Sequence, residues 1–335
     1  MTRTKKYLII FGILLVLILG LSWMLPKVYK TDTHINIDAP SIFVYNAIND
    51  LNYQKDWNGK SALDTSFLLV CAGSTVGAKS SCDYKTKQYG NGVLRIVYSG
   101  PDSLVIADEP DNASARSFHY KVIATDSMHT KLQVVGLGQS GFITNIWNFI
   151  HKWKLSKHIK HGLDNLKIFV ENRHKNKIYN GFKIEESLQN EKNYIMHRSE
   201  VEMENLAQYY AQNISALYQT ALENNIAVSG MPCGLYFKWD TANNKADMAA
   251  ALPTVAETNV INTTSFHIPQ RLALKVVYKG ESSKSGIAHM AMDAYMLDHR
   301  LTQDVPVVEE YMTNPSEEPD PSKWITNIYY YVNRK

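Results

Sequence analysis

The sequence lacks a strong charge of either sign, and this absence limits the partners that the protein can bind. Its 35 Lys and Arg residues nearly balance 32 Asp and Glu residues, for a formal net charge of +3. Five of the basic residues and no acidic residue fall within residues 1–30, which leaves 30 basic against 32 acidic residues in the rest. A near-neutral chain without a basic helix-turn-helix stretch does not supply the phosphate contacts of nonspecific nucleic-acid binding. We therefore expect no nucleic-acid partner.

Cysteine is also scarce, with three residues in 335. The three form no C-x-x-C pair and have no His residue at ligand spacing, so the sequence predicts no metal site and no cofactor. Cys71 and Cys82 are symmetric about the Val76–Gly77 bond, and a hairpin there would place them opposite each other. The sequence leaves open whether they form a disulfide or are two unrelated buried thiols. Cys233 has no partner in the pattern.

Long hydrophobic runs are missing except for one near the N-terminus. Residues 7–25 are uncharged and rich in Leu and Ile, and a helix of this length, at 1.5 Å per residue, roughly spans a ~30 Å hydrocarbon core. A cleaved signal peptide is the alternative, but the run is long and no A-x-A-like site follows it. Basic residues on both sides slightly favour a cytoplasmic N-terminus. We therefore predict that residues 1–30 are a tail and transmembrane anchor of a single-pass protein of the bacterial inner (plasma) membrane, with periplasmic or extracytoplasmic soluble domains.

Residues 31–172 combine several strand patterns with a long amphipathic helix from about residue 144 to 171. Asp50, Asp56 and His119 fit turn, cap and surface positions better than an acid, base and nucleophile set. The segments "INIDAPSIFVYNAINDLNYQKDW" and "HIKHGLDNLKIFVE" resemble the START-like, polyketide-cyclase-type superfamily (SRPBCC). This resemblance implies a helix-grip fold, in which an antiparallel sheet holds a long C-terminal helix and leaves a cavity for an apolar small molecule.

The long helix carries a basic run that has two interpretations. Lys152, Lys154, Lys157 and Lys160 recur along it among three His residues. Contact with anionic lipid head groups would suit a lipid-handling protein at the membrane surface. The alternative is the ordinary solvated face of an amphipathic helix.

Residues 173–190 are polar and have no apolar periodicity, so we predict a linker there. The next domain, residues 191–335, contains the pattern strand, helix, strand, strand twice. The two copies align at an offset of 75, which matches Tyr236 with Tyr311. The predicted fold class is therefore α+β, with an N-terminal transmembrane helix, a helix-grip START-like domain and a duplicated β-α-β-β domain.

The last repeat contains the run "EEYMTNPSEEPDPSKWITNIYYYV", which resembles the GyrI-like effector-binding domain; the resemblance extends over about residues 183–333. It implies a groove lined by aromatic residues, in which a carboxylate receives cationic aromatic ligands. The family's W-x-T-E pattern ends here in Asn327, which hydrogen-bonds a ligand without neutralising its charge. Glu310 or Glu309 on the partner strand is the candidate replacement charge. The predicted ligand-binding residues are Tyr236, Trp239, Glu310, Tyr311, Trp324, Asn327 and Tyr329.

These observations predict a membrane-anchored sensor-like protein with two ligand-cavity domains, whose partner is a small hydrophobic or aromatic molecule. The sequence contains no evident catalytic constellation, so a binding protein is favoured over an enzyme. A hydrolase or cyclase that acts on a hydrophobic small molecule is one alternative, and Glu310 or Glu257 within hydrogen-bond reach of Tyr236 or Tyr311 would favour it. The lipid-handling protein is the other alternative.

Overall fold

The computed structural model describes residues 3–141 and 144–334, and it divides the chain into two compact units. Unit 1 comprises Met1–Lys175 and unit 2 comprises Asn176–Lys335. The fold is mixed α/β with large antiparallel sheets, including a curled half-barrel sheet. Parts of the predicted tail and of both predicted domains lie outside the described residues, namely residues 1–2, 142–143 and 335.

In the described residues of unit 1, seven antiparallel strands form one sheet. They are β1 (Val28–Ile37), β2 (Leu68–Cys71), β3 (Ser81–Thr86), β4 (Gly90–Ser99), β5 (Ser103–Pro110), β6 (Arg116–Ala124) and β7 (Thr130–Gln139). The order is β1-β7-β6-β5-β4-β3-β2, so strands adjacent in sequence pair with each other except that β1 pairs with β7. Side chains alternate between the two faces of each strand, and the inward ones form the core.

The long helix of unit 1 packs on this sheet. The helices are α1 (Arg3–Met24), α2 (Ser41–Asn49), α3 (Gln54–Trp57), α4 (Gly59–Leu63) and α5 (Asn148–Asn176). In α5, buried apolar residues recur every three or four positions, which puts them on one face that shares a core with the sheet. These residues are Leu155, Ile159, Leu163, Leu166 and Val170.

The predicted transmembrane anchor is wrong. Among the residues that the structure describes, no helix is both long enough and apolar enough to cross a membrane. Helix α1 covers the apolar run, and its last turn is hydrogen-bonded within unit 1. The buried Ser22 hydroxyl donates to Asn145 Oδ1 over 2.8 Å, and Asn145 Nδ2 donates to the Leu25 carbonyl over 3.3 Å. Three predictions that depended on this anchor are therefore wrong. They are the fold class with a transmembrane helix, the membrane contact through residues 7–25 and the single-pass inner-membrane localisation.

Unit 2 begins with the hairpin of β8 (Ile178–Tyr179) and β9 (Phe182–Lys183), inside the stretch predicted as a linker. Over its described residues, eight further strands form one antiparallel sheet. They are β10 (Glu185–Gln189), β11 (Lys192–Glu202), β12 (Cys233–Asp240), β13 (Lys245–Thr254), β14 (Thr264–Ile268), β15 (Arg271–Lys279), β16 (Leu301–Tyr311) and β17 (Ile325–Arg334). The order is β10-β15-β17-β16-β12-β13-β11-β14.

This strand order is symmetric about the central pair of β16 and β12. Helix α6 (Leu206–Glu223) follows β11, and α7 (Gly286–His299) follows β15, so each half runs strand, helix, strand, strand. The strand before each half pairs with the other half, since β10 pairs with β15 and β14 pairs with β11. The two halves therefore exchange their leading strands.

A pseudo-twofold axis passes through one residue pair of the central strands. Gly234 in β12 is the cross-strand partner of Glu309 in β16, and the two positions are equivalent at the offset of 75 that also relates Tyr236 to Tyr311. The hydroxyl groups of these two tyrosines are 3.1 Å apart. The two halves thus meet at the centre of the sheet through equivalent residues.

The eight-stranded sheet has two differently covered faces. On the helix face, α7 and the start of α6 pack on a core that includes Tyr236, Val307 and Ile328. The far face carries a second core, which includes Val308 and Tyr329. Because side chains alternate along a strand, consecutive residues of β16 and β17 point to opposite faces.

Candidate functional site

The far face of unit 2 holds the predicted carboxylate Glu310. This residue is the cross-strand partner of Asn327. Asn327 Nδ2 donates to Glu310 Oε2 over 3.2 Å, and the Tyr329 hydroxyl donates to the same oxygen over 3.4 Å. Lys192 Nζ donates to Oε1 over 3.4 Å. These contacts are at or beyond the long end of the usual hydrogen-bond range, so the carboxylate is held loosely by an amide, a phenol and an ammonium group.

Several aromatic side chains share this face with Glu310. Tyr194 and Tyr331 are buried on the same face, and Phe237 and Phe266 pack against them. The Tyr194 hydroxyl is buried and has no hydrogen-bond partner among the described residues. Burial raises the pKa of Tyr331 to about 12, so its ring is neutral at physiological pH. A carboxylate among neutral aromatic rings can pair with a flat cation that replaces the Lys192 ammonium group at Glu310.

Tyr236 and Tyr311 lie on the helix face, where a different carboxylate joins them. The Tyr311 hydroxyl donates to Glu309 Oε2 over 2.9 Å. His289 Nε2, from α7, donates to Glu309 Oε1 over 2.8 Å, and its Nδ1 is 3.0 Å from the Tyr330 hydroxyl. Burial, followed by the charge of Glu309, raises the pKa of both Tyr236 and Tyr311. The helix face therefore contains a chain of imidazole, carboxylate and two neutral phenols on the pseudo-twofold axis.

The two predicted tryptophans have separate positions. Trp239 stacks on Tyr236 with ring centroids 4.8 Å apart. Trp324 donates Nε1 to the Glu318 carbonyl over 2.8 Å, in the loop between β16 and β17. The seven predicted residues are therefore not in one groove: Glu310, Asn327 and Tyr329 share the far face, Tyr236 and Tyr311 share the helix face with Trp239 beside them, and Trp324 lies in the loop.

Unit 1 contains a polar cluster that sequence reasoning missed. Lys60, Tyr84 and Asp108 meet near a cavity of about 50 Å³ between the sheet and α5. Lys60 Nζ is 2.7 Å from Asp108 Oδ1 and 2.6 Å from the Tyr84 hydroxyl, which donates to Asp108 Oδ1 over 2.8 Å. Burial lowers the pKa of Lys60, and the Asp108 carboxylate opposes this shift. The core of unit 1 thus encloses an ion pair with a phenol bridge.

Local sequence positions Lys60 at the start of α4. Asn58 Oδ1 accepts a hydrogen bond from the Lys60 backbone N–H over 2.8 Å, as an N-cap residue does. Gly59 touches α5, because a Cβ at this position would lie 2.1 Å from the His158 carbonyl oxygen. Only glycine allows α4 to approach α5 closely enough to direct Lys60 to Asp108.

One signal in the sequence pointed to this cluster. Strand alternation places Asp108 on the same inward side of β5 as Leu104 and Ile106. A carboxylate at a core position requires a partner charge or hydrogen bonds. The partner, Lys60, is 48 residues earlier, and no spacing rule connects the two.

The structure also shows the state of the three cysteines and the grouping of possible metal ligands. Cys71 and Cys82 are cross-strand partners joined by a disulfide, with Cα atoms 4.2 Å apart, and Cys233 is a buried thiol. Within the described ranges, no group of three or more His, Cys, Asp or Glu residues is arranged to hold a metal ion.

Comparison with known proteins finds similarity in structure only. No protein-family model matches the sequence, and a search of curated proteins finds no match. Similar solved structures include the C-terminal domain of EcmrR, at 16% identity and a TM-score of 0.42, which covers 46% of this chain and 99% of that chain. A START superfamily protein from Mycobacterium smegmatis matches at 11% identity and a TM-score of 0.33, over 43% of this chain and 98% of that chain. A hydrolase from Listeria innocua matches at 13% identity and a TM-score of 0.35, over 45% of this chain and 92% of that chain.

At identities of 16% or less and TM-scores of 0.42 or less, these three structures carry no argument about the fold or the activity of this chain.

Proposed function

We propose that the chain is a small-molecule-binding protein and that the far face of unit 2 receives a flat organic cation at Glu310. The position of Lys192 supports this proposal most directly. Its ammonium group is 3.4 Å from Glu310 Oε1 and 5.2 Å from the centre of the Tyr329 ring. An ammonium group between a carboxylate and an aromatic ring is the arrangement that favours bound cations.

Lys192 is an internal occupant of this position. Its side chain is 29% exposed, whereas that of Glu310 is 13% exposed, so the flexible lysine reaches solvent while the carboxylate stays mostly buried. When Lys192 swings out, Glu310 loses its only cationic contact among the described residues. A buried carboxylate without a counter-charge is unfavourable, and an entering cation restores the pairing. Cation affinity is therefore set by competition with Lys192.

Asn327 has a defined part in the proposed site. Its amide donates to Glu310, its cross-strand partner, so the negative charge is carried by β16 instead of β17. Asn327→Glu alone would place two carboxylates side by side, and their repulsion would favour protonation of one. The exchange Glu310→Gln/Asn327→Glu keeps a single charge and should retain cation binding.

The test measures binding of cationic aromatic dyes and neutral aromatics of matched size to the full chain, by thermal shift and isothermal titration calorimetry. We expect cations to bind more tightly than their neutral analogues, and Glu310→Gln to weaken cation binding at least about tenfold. Lys192→Met should strengthen it about threefold to fivefold, because a partly exposed ion pair contributes up to about 1 kcal/mol. Lys245→Met is the matched control, since Lys245 pairs with Glu200 at 2.8 Å on the surface. Equal binding of cations and neutral analogues, or no effect of Glu310→Gln, would refute the proposal.

A second candidate function, hydrolysis of a hydrophobic small molecule, is favoured by the helix face. Glu309 lies within hydrogen-bond reach of Tyr311 and His289, and a carboxylate–imidazole pair can transfer a proton to or from a substrate or water. The test is turnover of a panel of aromatic esters and amides. Glu309→Gln should abolish turnover, whereas Glu310→Gln on the opposite face should preserve it. Equal losses in both variants, or no turnover of any compound, would contradict this function.

A further inference from the structure

An open cleft of about 650 Å³ adjoins the small cavity of unit 1. The cleft and the cavity share the lining residues Lys60, Arg116, Leu155 and His158. The cleft walls come from α4, α5, the β3–β4 turn and the β5–β6 connection. This volume lies within the range of sites that hold a molecule of drug size.

The charged side chains on the cleft wall are all cationic. They are Lys60, Arg116, Lys154 and Lys157, and no Asp or Glu lines the cleft within the part of the chain that the structure describes. The nearby Asp108 is engaged by Lys60. Arg116 Nε is buried and has no hydrogen-bond partner among the described residues. A buried donor without an acceptor is unfavourable, and an anionic oxygen in the cleft would satisfy it.

His158 experiences the same positive field. Burial, followed by the charges of Arg116 and Lys60, lowers its pKa to about 4. The imidazole is therefore neutral at pH 7, and its ring meets Tyr89 edge-on with centroids 4.9 Å apart. A neutral His158 leaves the cationic charge of the cleft on its Lys and Arg residues.

Apolar side chains cover most of the remaining wall. Trp153 is 59% exposed, and it lines the cleft together with Leu63, Pro110, Ala113 and Leu155. A large aromatic side chain left in contact with solvent inside a concave site can bury apolar ligand surface. The cleft thus combines an apolar wall with a cationic one.

We propose that this cleft binds an amphiphilic anion, a carboxylate or phosphate monoester on a single apolar chain. The head would contact Arg116 together with Lys154 and Lys157, because guanidinium and ammonium groups form charge-assisted hydrogen bonds with such oxygens. The apolar part would lie on Trp153 and Leu155. This site is independent of the cation site proposed for unit 2, and it differs in both ligand charge and location.

The basic helix supplies its own control for the test. Lys154 and Lys157 line the cleft, whereas Lys152 and Lys160 on the same helix are exposed and do not line it. Binding of dodecanoate below its micelle concentration is measured on the full chain by isothermal titration calorimetry. We expect Lys154→Gln/Lys157→Gln to weaken binding about tenfold, and Lys152→Gln/Lys160→Gln, with the same change in net charge, to alter it less than about twofold.

Ligands of equal chain length test the charge of the head group. Dodecanol and dodecyltrimethylammonium should bind at least about tenfold more weakly than dodecanoate, and Arg116→Gln should reduce that preference. Vesicles of anionic phospholipid distinguish a free amphiphile from a bilayer head group. Failure of dodecanoate to bind, equal binding of dodecanol, equal losses in the two lysine pairs, or vesicle binding through all four lysines without dodecanoate binding would each overturn the proposal.

Discussion

The ion pair between Lys60 and Asp108 can be tested by a double-mutant cycle. Both side chains are nearly buried, at 10% and 3% exposure. Asp108→Asn removes the counter-charge of Lys60, and Lys60→Met removes the counter-charge of Asp108. Each single variant therefore leaves one charged group in the core, whereas Lys60→Met/Asp108→Asn leaves none and keeps a side-chain acceptor for the Tyr84 hydroxyl.

The distance and burial of the pair determine the expected magnitudes. At 2.7 Å and an effective dielectric constant of about 20, the Coulomb attraction is about 6 kcal/mol before desolvation is subtracted. The lowered pKa of Lys60, caused first by burial, indicates that desolvation outweighs the attraction of Asp108 for this amine. We expect each single change to lower the free energy of unfolding of unit 1 by about 3 kcal/mol, as for other broken buried pairs. The double change should cost no more than about 3 kcal/mol, which gives a coupling energy of at least about 3 kcal/mol.

The assay is urea unfolding of the full chain, followed by tryptophan fluorescence, in which the buried Trp57 of unit 1 contributes to the signal. The exposed pair Arg95–Glu109, at 3.7 Å with 44% exposure of each side chain, provides a control cycle with an expected coupling below about 1 kcal/mol. If the effects of the Lys60 and Asp108 changes add to within about 0.5 kcal/mol, the two groups do not stabilise each other and the interpretation of the cluster is refuted.

Three further predictions concern unit 1 and a control in unit 2. Because the pKa of His158 is about 4 in the fold and 6.5 ordinarily, the unfolded state takes up its proton first. Unit 1 should therefore lose about 1–2 kcal/mol, after allowance for solvent contact, as the pH falls from 7 to 4, and His158→Gln should flatten that slope in calorimetric melts. Cys71→Ser/Cys82→Ser should cost about 2–3 kcal/mol because the disulfide closes a loop with a sequence separation of 11; a reductant should destabilise only the parent. Gly59→Ala should cost about 2–3 kcal/mol because its Cβ would meet backbone, whereas Gly286→Ala, with nothing within 4 Å, should not lower the melting temperature.

Local patterns in the sequence predict single helices and strands better than they predict which strands pair with each other. In the helix predicted from about residue 144 to 171, the apolar positions Ile159, Leu163 and Leu166 lie on the buried face of α5, because a helical period records which side is covered. Trp153, predicted on the same stripe, is 59% exposed. The pairing of β10 with β15 and of β14 with β11 leaves no such record, since it joins segments far apart in sequence. Strand order within unit 2 therefore required the structure.

The sequence proposed residues for the candidate site but did not predict their arrangement. Alternation along β17 predicts that Asn327 and Tyr329 share one face, and in the structure both side chains donate to Glu310, which the sequence also proposed. Strand patterns do not show which face of β12 and β16 the helices cover, so a prediction from sequence groups Tyr236 and Tyr311 with Glu310 although they point the other way. The length and lack of charge of residues 7–25 were equally insufficient to decide whether that helix crosses a membrane.

The residue pair on the pseudo-twofold axis shows that two repeats within one chain can carry different residues at equivalent positions. Two identical, separate copies of the repeat would place the same residue on both sides of the axis, either two carboxylates or two glycines. Here one side carries Glu309, and the other is Gly234, where a Cβ would lie 3.0 Å from both the Tyr311 hydroxyl and the Tyr236 ring. Because both copies belong to one chain, each could diverge alone, so the centre holds a single negative charge and the space for two tyrosines. An assembly of two identical subunits cannot reach this asymmetric arrangement at its own axis.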